Sequence, residues 1–165
     1  MKVLLVNKFL YPRGGDCIYT LNLGRLLRKA GHCVQFYAMA YPENLQDENE
    51  ACFAEEVSFS SISLSGKIKA ARRILWGTGV RSGFEKILDS FQPDIVHLNN
   101  IHSYLSPVVA RLAHQRGIKV VWTLHDYKLL CPSYNCLCRG EICEMCFTCK
   151  TNVLFRKCMK NNVQA

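Results

Sequence analysis

The sequence predicts an α/β domain built on a doubly wound parallel sheet. Three observations carry that expectation. Residues 2–6, Lys-Val-Leu-Leu-Val, form an apolar run of strand length that runs straight into a loop containing Pro12-Arg13-Gly14-Gly15. Such a run suits a strand buried on both faces. Residues 118–124 are a second apolar run, and 95–98 a shorter strand. Segments with helical spacing lie between these strands, so strand and helix alternate along the chain.

The elements follow in order. After the loop 7–15, a helix is expected from near Asp16, with Tyr19, Leu23, Leu26, Leu27 and Ala30 at helical spacing on one face. Gly31 stands where a C-terminal cap belongs, behind Arg28 and Lys29 in the last turn. Residues 33–38 read as a second strand, which makes a β-loop-α-β unit with a right-handed crossover. Residues 41–65 are polar and acidic, and predict an irregular excursion with one short strand around 57–59. Residues 66–76 predict an amphipathic helix with Ile68, Ala71 and Leu75 as its apolar side and Lys69, Arg72 and Arg73 as its basic side. Another helix is expected at 81–91, ended by Pro93-Asp94. Ser106 as N-cap and Pro107 at the first helical position start the next, which buries Val108, Val109, Leu112 and Ala113 and stops at Gly117.

Bulk properties fit one domain. The chain has 165 residues, 49% apolar and 21% charged. No apolar run approaches the roughly 18–20 residues of a membrane span, and residues 1–6 are too short for a secretory signal. These features lead us to expect a cytoplasmic protein. The net charge is +8 and unevenly spread: residues 42–57 hold six acidic and no basic side chains, residues 67–81 five basic and no acidic ones. A basic patch suits nucleic acid, an anionic membrane surface or a phosphorylated ligand, and is otherwise a solvated helix face. No nucleic-acid motif or interleaved aromatics accompany it, so nucleic acid is disfavoured.

Ligands of doubly wound sheets bind beyond the carboxyl ends of the strands. Three such ends carry polar residues here: Asn7 to Gly15, then His97-Leu98-Asn99-Asn100-Ile101-His102, then Thr123-Leu124-His125-Asp126-Tyr127. Gly14-Gly15 before a helix lets backbone N–H groups approach an anion; a simple tight turn is the alternative. The dinucleotide pattern G-x-G-x-x-G and a P-loop lysine are both missing. His125 beside Asp126 can exchange hydrogen bonds at neutral pH, or serve only in packing. No serine or cysteine nucleophile motif lies near it.

Taken together, these stretches resemble the amino-terminal domain of family 4 (group 1) glycosyltransferases of the GT-B fold. The resemblance rests on Met1 to Phe9 with Tyr11-Pro12-Arg13-Gly14-Gly15, on Ala30-Gly31-His32-Cys33-Val34, and on Ala38-Met39-Ala40-Tyr41-Pro42-Glu43-Asn44. It continues in Pro93-Asp94-Ile95-Val96-His97-Leu98-Asn99-Asn100 and in Leu124-His125-Asp126-Tyr127-Lys128-Leu129-Leu130-Cys131-Pro132. It implies a Rossmann-like sheet over residues 1–165, an incomplete GT-B amino-terminal domain on the acceptor side, with a Cys-rich excursion at 131–160. By motif, Gly14 and Gly15 would lie against the donor diphosphate or the reacting sugar, and Asn99 and Asn100 near the acceptor. His125, with Asp126 beside it, would sit at the transferred sugar. The reaction implied is a retaining transfer from a nucleotide sugar to a saccharide or lipid-linked acceptor, needing no cofactor and at work at the inner face of the membrane. Two positions depart from the family pattern: Cys17 stands where Glu is frequent, and Asn99 where a second His is usual in His-x-His-Asn. The donor domain is expected to be a separate partner, without which the chain is inactive; a non-catalytic binding or zinc module of the same fold is the alternative.

Seven of the ten cysteines fall between Cys131 and Cys158. Clustering of that kind in a chain with no secretory signal points to metal rather than disulfides. Cys143-x-x-Cys146 is a turn that places two thiolates on one tetrahedral edge. The resemblance adds Cys131 and Cys158, which gives a structural zinc site of Cys131, Cys143, Cys146 and Cys158, with Cys136, Cys138 and Cys149 as substitutes. Reduced thiols without metal are the alternative. An iron–sulfur run is disfavoured, because Thr151-Asn152-Val153 offers no fourth cysteine after Cys149.

Overall fold

In a computed structural model that describes residues 1–57, 64–156 and 158, the chain divides into two compact units, residues 1–123 and 124–165. The first is an α/β sandwich. Strands β1 (Lys2–Val6), β2 (Cys33–Tyr37), β3 (Ile95–Leu98) and β4 (Lys119–Trp122) form a parallel sheet in the order β2-β1-β3-β4. Val3 of β1 stands between Val34 and Ile95, and Ile95 pairs in turn with Lys119. The four strands expected at 2–6, 33–38, 95–98 and 118–124 are present, with ends within two residues of the sequence reading. Of the short strand expected at 57–59, residues 58 and 59 lie outside the described residues, and Val57 is in no strand. A parallel bridge from Met39 to Ala54 returns the acidic excursion to the sheet instead.

The apolar runs are buried on both faces because helices cover both. On one face Val3, Leu5, Val34 and Phe36 pack with Leu21, Leu23 and Leu27 of helix α1 (Gly15–Lys29). On the other, Leu4, Val6, Val96 and Leu98 pack with Phe84, Ile87 and Leu88 of α3 (Arg81–Phe91) and Val109, Leu112 and Ala113 of α5 (Val108–Gln115). Among the described residues β4 pairs only with β3, and Val121 is exposed. The expectation of a buried strand at 118–124 is corrected: β4 is an edge.

Two helix faces also differ from the expectation. In α1 the fully buried residues are Cys17, Thr20 and Gly24, while Tyr19 and Leu26 are exposed. Gly24 decides this. A Cβ there would lie 2.5 Å from Cζ of Phe36 and 3.3 Å from Leu5, so the helix sits against the sheet at its smallest residue. The second difference is in α2 (Leu64–Trp76). Ile68, Ala71 and Leu75, its apolar side, are all exposed, and Arg73, of its basic side, is fully buried. Its Nη1 donates to the Glu55 carbonyl at 2.6 Å and to the carbonyl of Tyr104 in the short helix α4 (His102–Leu105) at 3.2 Å, and its Nε to the Thr78 carbonyl at 3.3 Å. Backbone oxygens with no helix or strand partner of their own thus draw the guanidinium inward.

Local signals held elsewhere. Both α1 and α5 end in a Schellman motif, with Gly31 at φ 82° and Gly117 at φ 72°. The His32 amide donates to Leu27 and the Ile118 amide to Ala113. At α5 the expectation shifts by one residue: the helix begins at Val108 with Pro107, not Ser106, at the N-cap, and Ser106 Oγ accepts from the Val108 amide at 3.2 Å from one position further out.

The second unit has few regular elements. A hairpin of β5 (Leu137–Cys138) and β6 (Glu141–Ile142) turns at Arg139 and Gly140, both with positive φ. That pair of left-handed residues is what a two-residue hairpin turn requires. Short helices α6 (Met145–Thr148) and α7 (Asn152–Arg156) follow.

Candidate functional site

The strand order reverses at β1. The chain leaves β1 to one side for β2 and returns to the other for β3, which opens a crevice at the carboxyl ends of β1 and β3. Asn7 builds the floor. It is fully buried; its Nδ2 donates to the Phe9 carbonyl at 3.0 Å, and its Oδ1 accepts from the Asn100 amide at 3.1 Å. The Lys8 amide donates to the Asn100 carbonyl in return, at 3.2 Å. The expected residues Asn99 and Asn100 therefore sit against the Asn7 loop, in different roles. Asn99 is buried, and its carbonyl accepts from the Trp122 indole at 3.0 Å. Asn100 is half-buried and closer to solvent.

Gly14 and Gly15 open α1 beside this floor. Gly14 is extended at the N-cap, with no side chain capping the helix. A Cβ on Gly15 would meet nothing within 4 Å, so packing alone does not require a glycine there. The bare backbone leaves room for a ligand at the positive end of a helix of 15 residues. Asp16 in the first turn faces Lys8, with Nζ 3.6 Å from Oδ2. Cys17, in the place where Glu is frequent, turns under the loop. Asn7 Nδ2 lies 3.5 Å from its Sγ, and burial pushes its thiol pKa up. It offers no carboxylate and little thiolate to the crevice.

Sequence reading missed the aromatic and cationic rim. Phe9, Tyr11, Tyr41 and Tyr104 form one ring cluster, with Tyr11 stacked on Tyr41 at 5.6 Å. The Arg13 guanidinium lies 4.7 Å from the Phe9 ring centre, and Lys8 Nζ lies near both Phe9 and Tyr104. Two cations on an aromatic rim above open backbone amides can hold an anionic group and a sugar face together. The signal was present in Lys8, Phe9, Tyr11 and Arg13, but Tyr41 and Tyr104 join only through the fold.

The remaining expected residues belong to the second unit. His125 and Asp126 are half-buried and line a shallow cavity of about 370 Å³ with Leu124, Tyr127, Leu129 and Leu130. Asp126 Oδ1 accepts from the Lys128 amide at 2.9 Å, which fixes the turn after His125. All ten cysteines are free thiols. Among the described residues, no group of three or more His, Cys, Asp or Glu stands as a metal-holding set. Cys131 faces Ser133 at 3.0 Å; burial raises its pKa, but hydrogen bonds from Ser133 and Cys136 outweigh that and leave it lowered. Cys158 faces Cys138 at 3.6 Å, and burial and that neighbour push it up to about 11. Burial and the neighbouring Cys131 and Cys143 push the Cys146 thiol up, and Cys143 and Cys146 add to the rise at Cys158, so members of the expected set lie within electrostatic reach of one another.

The family pattern described as "Glycosyltransferase Family 4" matches residues 13–135, from the Arg13 loop through His125 to the start of the Cys-rich segment. The chain belongs to glycosyltransferase family 4. The sheet order and the crevice are those of a Rossmann-like GT-B amino-terminal domain. This family 4 chain is also similar to an "Uncharacterized 42.6 kDa protein in cps region" of Klebsiella pneumoniae, with 30% identity over 149 residues. The match takes in 82% of this chain and 39% of that relative's length. Among the described residues, no helix is long and apolar enough to cross a membrane.

Proposed function

We propose that this chain is the acceptor-side domain of a retaining glycosyltransferase. It would move a sugar from a nucleotide sugar held on a donor domain to a saccharide or lipid-linked acceptor in polysaccharide biosynthesis. The observation that carries the reading is the open Gly14-Gly15 backbone at the start of α1, beside Lys8 and Arg13. Family membership supports the reaction class, and the cps-region relative supports the polysaccharide setting. In this reading the Gly15 amide and the helix N-terminus take up charge developing on the leaving diphosphate. Arg13 adds a cation, and Asn100 and the Tyr11–Tyr41 pair hold the acceptor.

The test is a transfer assay on the full chain, with radiolabelled nucleotide sugars and polyprenyl-linked saccharides, alone and with a family 4 donor domain added. Transfer that needs the donor domain, and falls at least about tenfold in Gly15→Val, is expected. No transfer in either arm, with no saccharide binding, would sink the proposal. Saccharide binding without transfer would leave a non-catalytic module of the same fold.

The proposal includes a structural zinc on Cys131, Cys143, Cys146 and Cys158. Soft thiolate donors, the Cys143-x-x-Cys146 turn and the influence of Cys131, Cys143 and Cys146 on one another and on Cys158 support it. Stoichiometric zinc in purified chain, lost in Cys143→Ser, is expected. A metal-free chain whose melting is unchanged by added zinc removes this part.

A further inference from the structure

We propose that the cleft between α1 and the loop after β2 binds a small carboxylate with an apolar body. A cavity of about 330 Å³ lies on the β2 side of β1, whereas the Asn7–Asn100 crevice lies between β1 and β3. Its floor is apolar: Leu10 and Phe36 are buried and Leu21 is half-buried. Its far wall, residues 45–47, is fixed in place. Asn44 Oδ1 accepts from the Leu10 amide at 2.9 Å, Asn44 Nδ2 donates to the Met39 carbonyl at 2.8 Å, and the Leu45 amide donates to the Leu10 carbonyl at 3.0 Å. The cavity is therefore formed before any ligand arrives, as small-molecule sites are. Leu45 lines it with 53% of its surface exposed, so an apolar ligand would cover what water now meets.

Charge selects the head of the ligand. Arg25 and Arg28, one turn apart on α1, both line the cavity. Arg28 is held against Phe36, with its guanidinium carbon 5.1 Å from the ring centre and its Nη2 donating to the Val34 carbonyl at 2.8 Å. Among the described residues, Arg25 has no hydrogen bond or ion pair, and neither arginine pairs with a carboxylate. Asp47 also lines the cavity, but its Oδ1 already accepts from the amide and the side chain of Asn49, at 2.9 and 3.1 Å. Two cations against one carboxylate leave a single positive charge in surplus. That suits a monoanion better than a phosphate monoester, which carries nearly two negative charges. A guanidinium fork also matches the planar carboxylate in geometry. The site stands apart from the transfer reading and would survive a failed transfer assay.

The experiment is an NMR titration of the isotope-labelled full chain with hydrocinnamate, a phenyl ring on a short carboxylate chain. Hydrocinnamyl alcohol, its uncharged counterpart, and inorganic phosphate are the comparison probes. Saturable shifts of the Leu21, Arg25, Leu45 and Gln46 amides are expected with the carboxylate. The alcohol should bind about tenfold more weakly, because it lacks the charge-assisted hydrogen bonds. Phosphate, with no apolar body, should also be weaker by about tenfold or more. Arg25→Gln should raise the Kd about fivefold, and Leu45→Ser about threefold. Both side chains are exposed, so these variants should melt with the parent chain. Arg72→Gln, an exposed cation on α2, serves as control and should leave the Kd unchanged. No saturable shift at the four amides overturns the proposal. Equal binding of the alcohol overturns it too, since the cleft would then select only for apolar bulk. Equal binding of phosphate does the same, by reducing the site to a patch of cations. An unchanged Kd in both Arg25→Gln and Leu45→Ser would place the probe elsewhere and also overturns it.

Discussion

The Asn100 amide donates to Oδ1 of Asn7 across 3.1 Å, and this bond ties the end of β3 to the end of β1 at the point where the strand order reverses. The same Asn7 holds the Phe9 carbonyl with its Nδ2. One buried amide therefore sets the spacing between the loop that carries Gly14-Gly15 and the strand end that carries Asn100.

Asn7→Ala should cost about 2 kcal/mol, because it strands the buried Phe9 carbonyl and the half-buried Asn100 amide without replacing their partners. Urea denaturation followed by circular dichroism checks this. A midpoint equal to that of the parent chain would show that the bridge is not a stabilising contact.

Gly24→Ala should destabilise by about 1–3 kcal/mol, through contact of the new methyl with the Phe36 ring and Leu5. Phe36→Leu in the same chain should recover part of the loss by vacating the ring edge. Additive losses in the double variant would contradict the close approach of α1 to the sheet.

Arg73→Ala should cost about 3 kcal/mol, since buried carbonyls of Glu55, Thr78 and Tyr104 lose their donor. Leu75→Ser, at the penultimate residue of the same helix, should stay within about 0.5 kcal/mol of the parent. A reversed order of the two melting temperatures would show that the apolar stripe, not the arginine, faces the core.

Thiol reactivity should rank by thiolate content and exposure. Cys149 is exposed, and the Thr151 hydroxyl and amide beside it hold its pKa below the ordinary thiol value. Its folded pKa lies below the unfolded one, so the favourable contribution is complete above the unfolded value and lost as pH falls through the folded value. Iodoacetamide at neutral pH should therefore label Cys149 first. Thr151→Val should slow that labelling, and Cys17, buried and shifted upward, should label last. Mass spectrometry of the time course decides; a Cys17 adduct appearing before Cys149 would contradict the ranking.

Much of the first unit is written locally. The apolar run 2–6 determined a central strand, because only a strand covered on both faces tolerates it. Helix 81–91 and strand 95–98 were bounded by signals within a few residues of their ends, and Gly31 and Gly117 marked helix ends at the positive φ that the caps require. Gly14-Gly15, Asn100 and His125 were legible as strand-end residues for the same reason. The inward face of a helix was not. Periodicity says which residues share a face, but not which face meets the core. In α1 the approach of Phe36 and Leu5 placed Gly24 inward. In α2 the unmet carbonyls of Glu55, Thr78 and Tyr104 drew Arg73 inward and turned Ile68 and Leu75 out. Those carbonyls come from three separate stretches of chain, so their convergence exists only once the fold has formed. The Asn7–Asn100 bridge, which joins residues 93 positions apart, was decided in the same way.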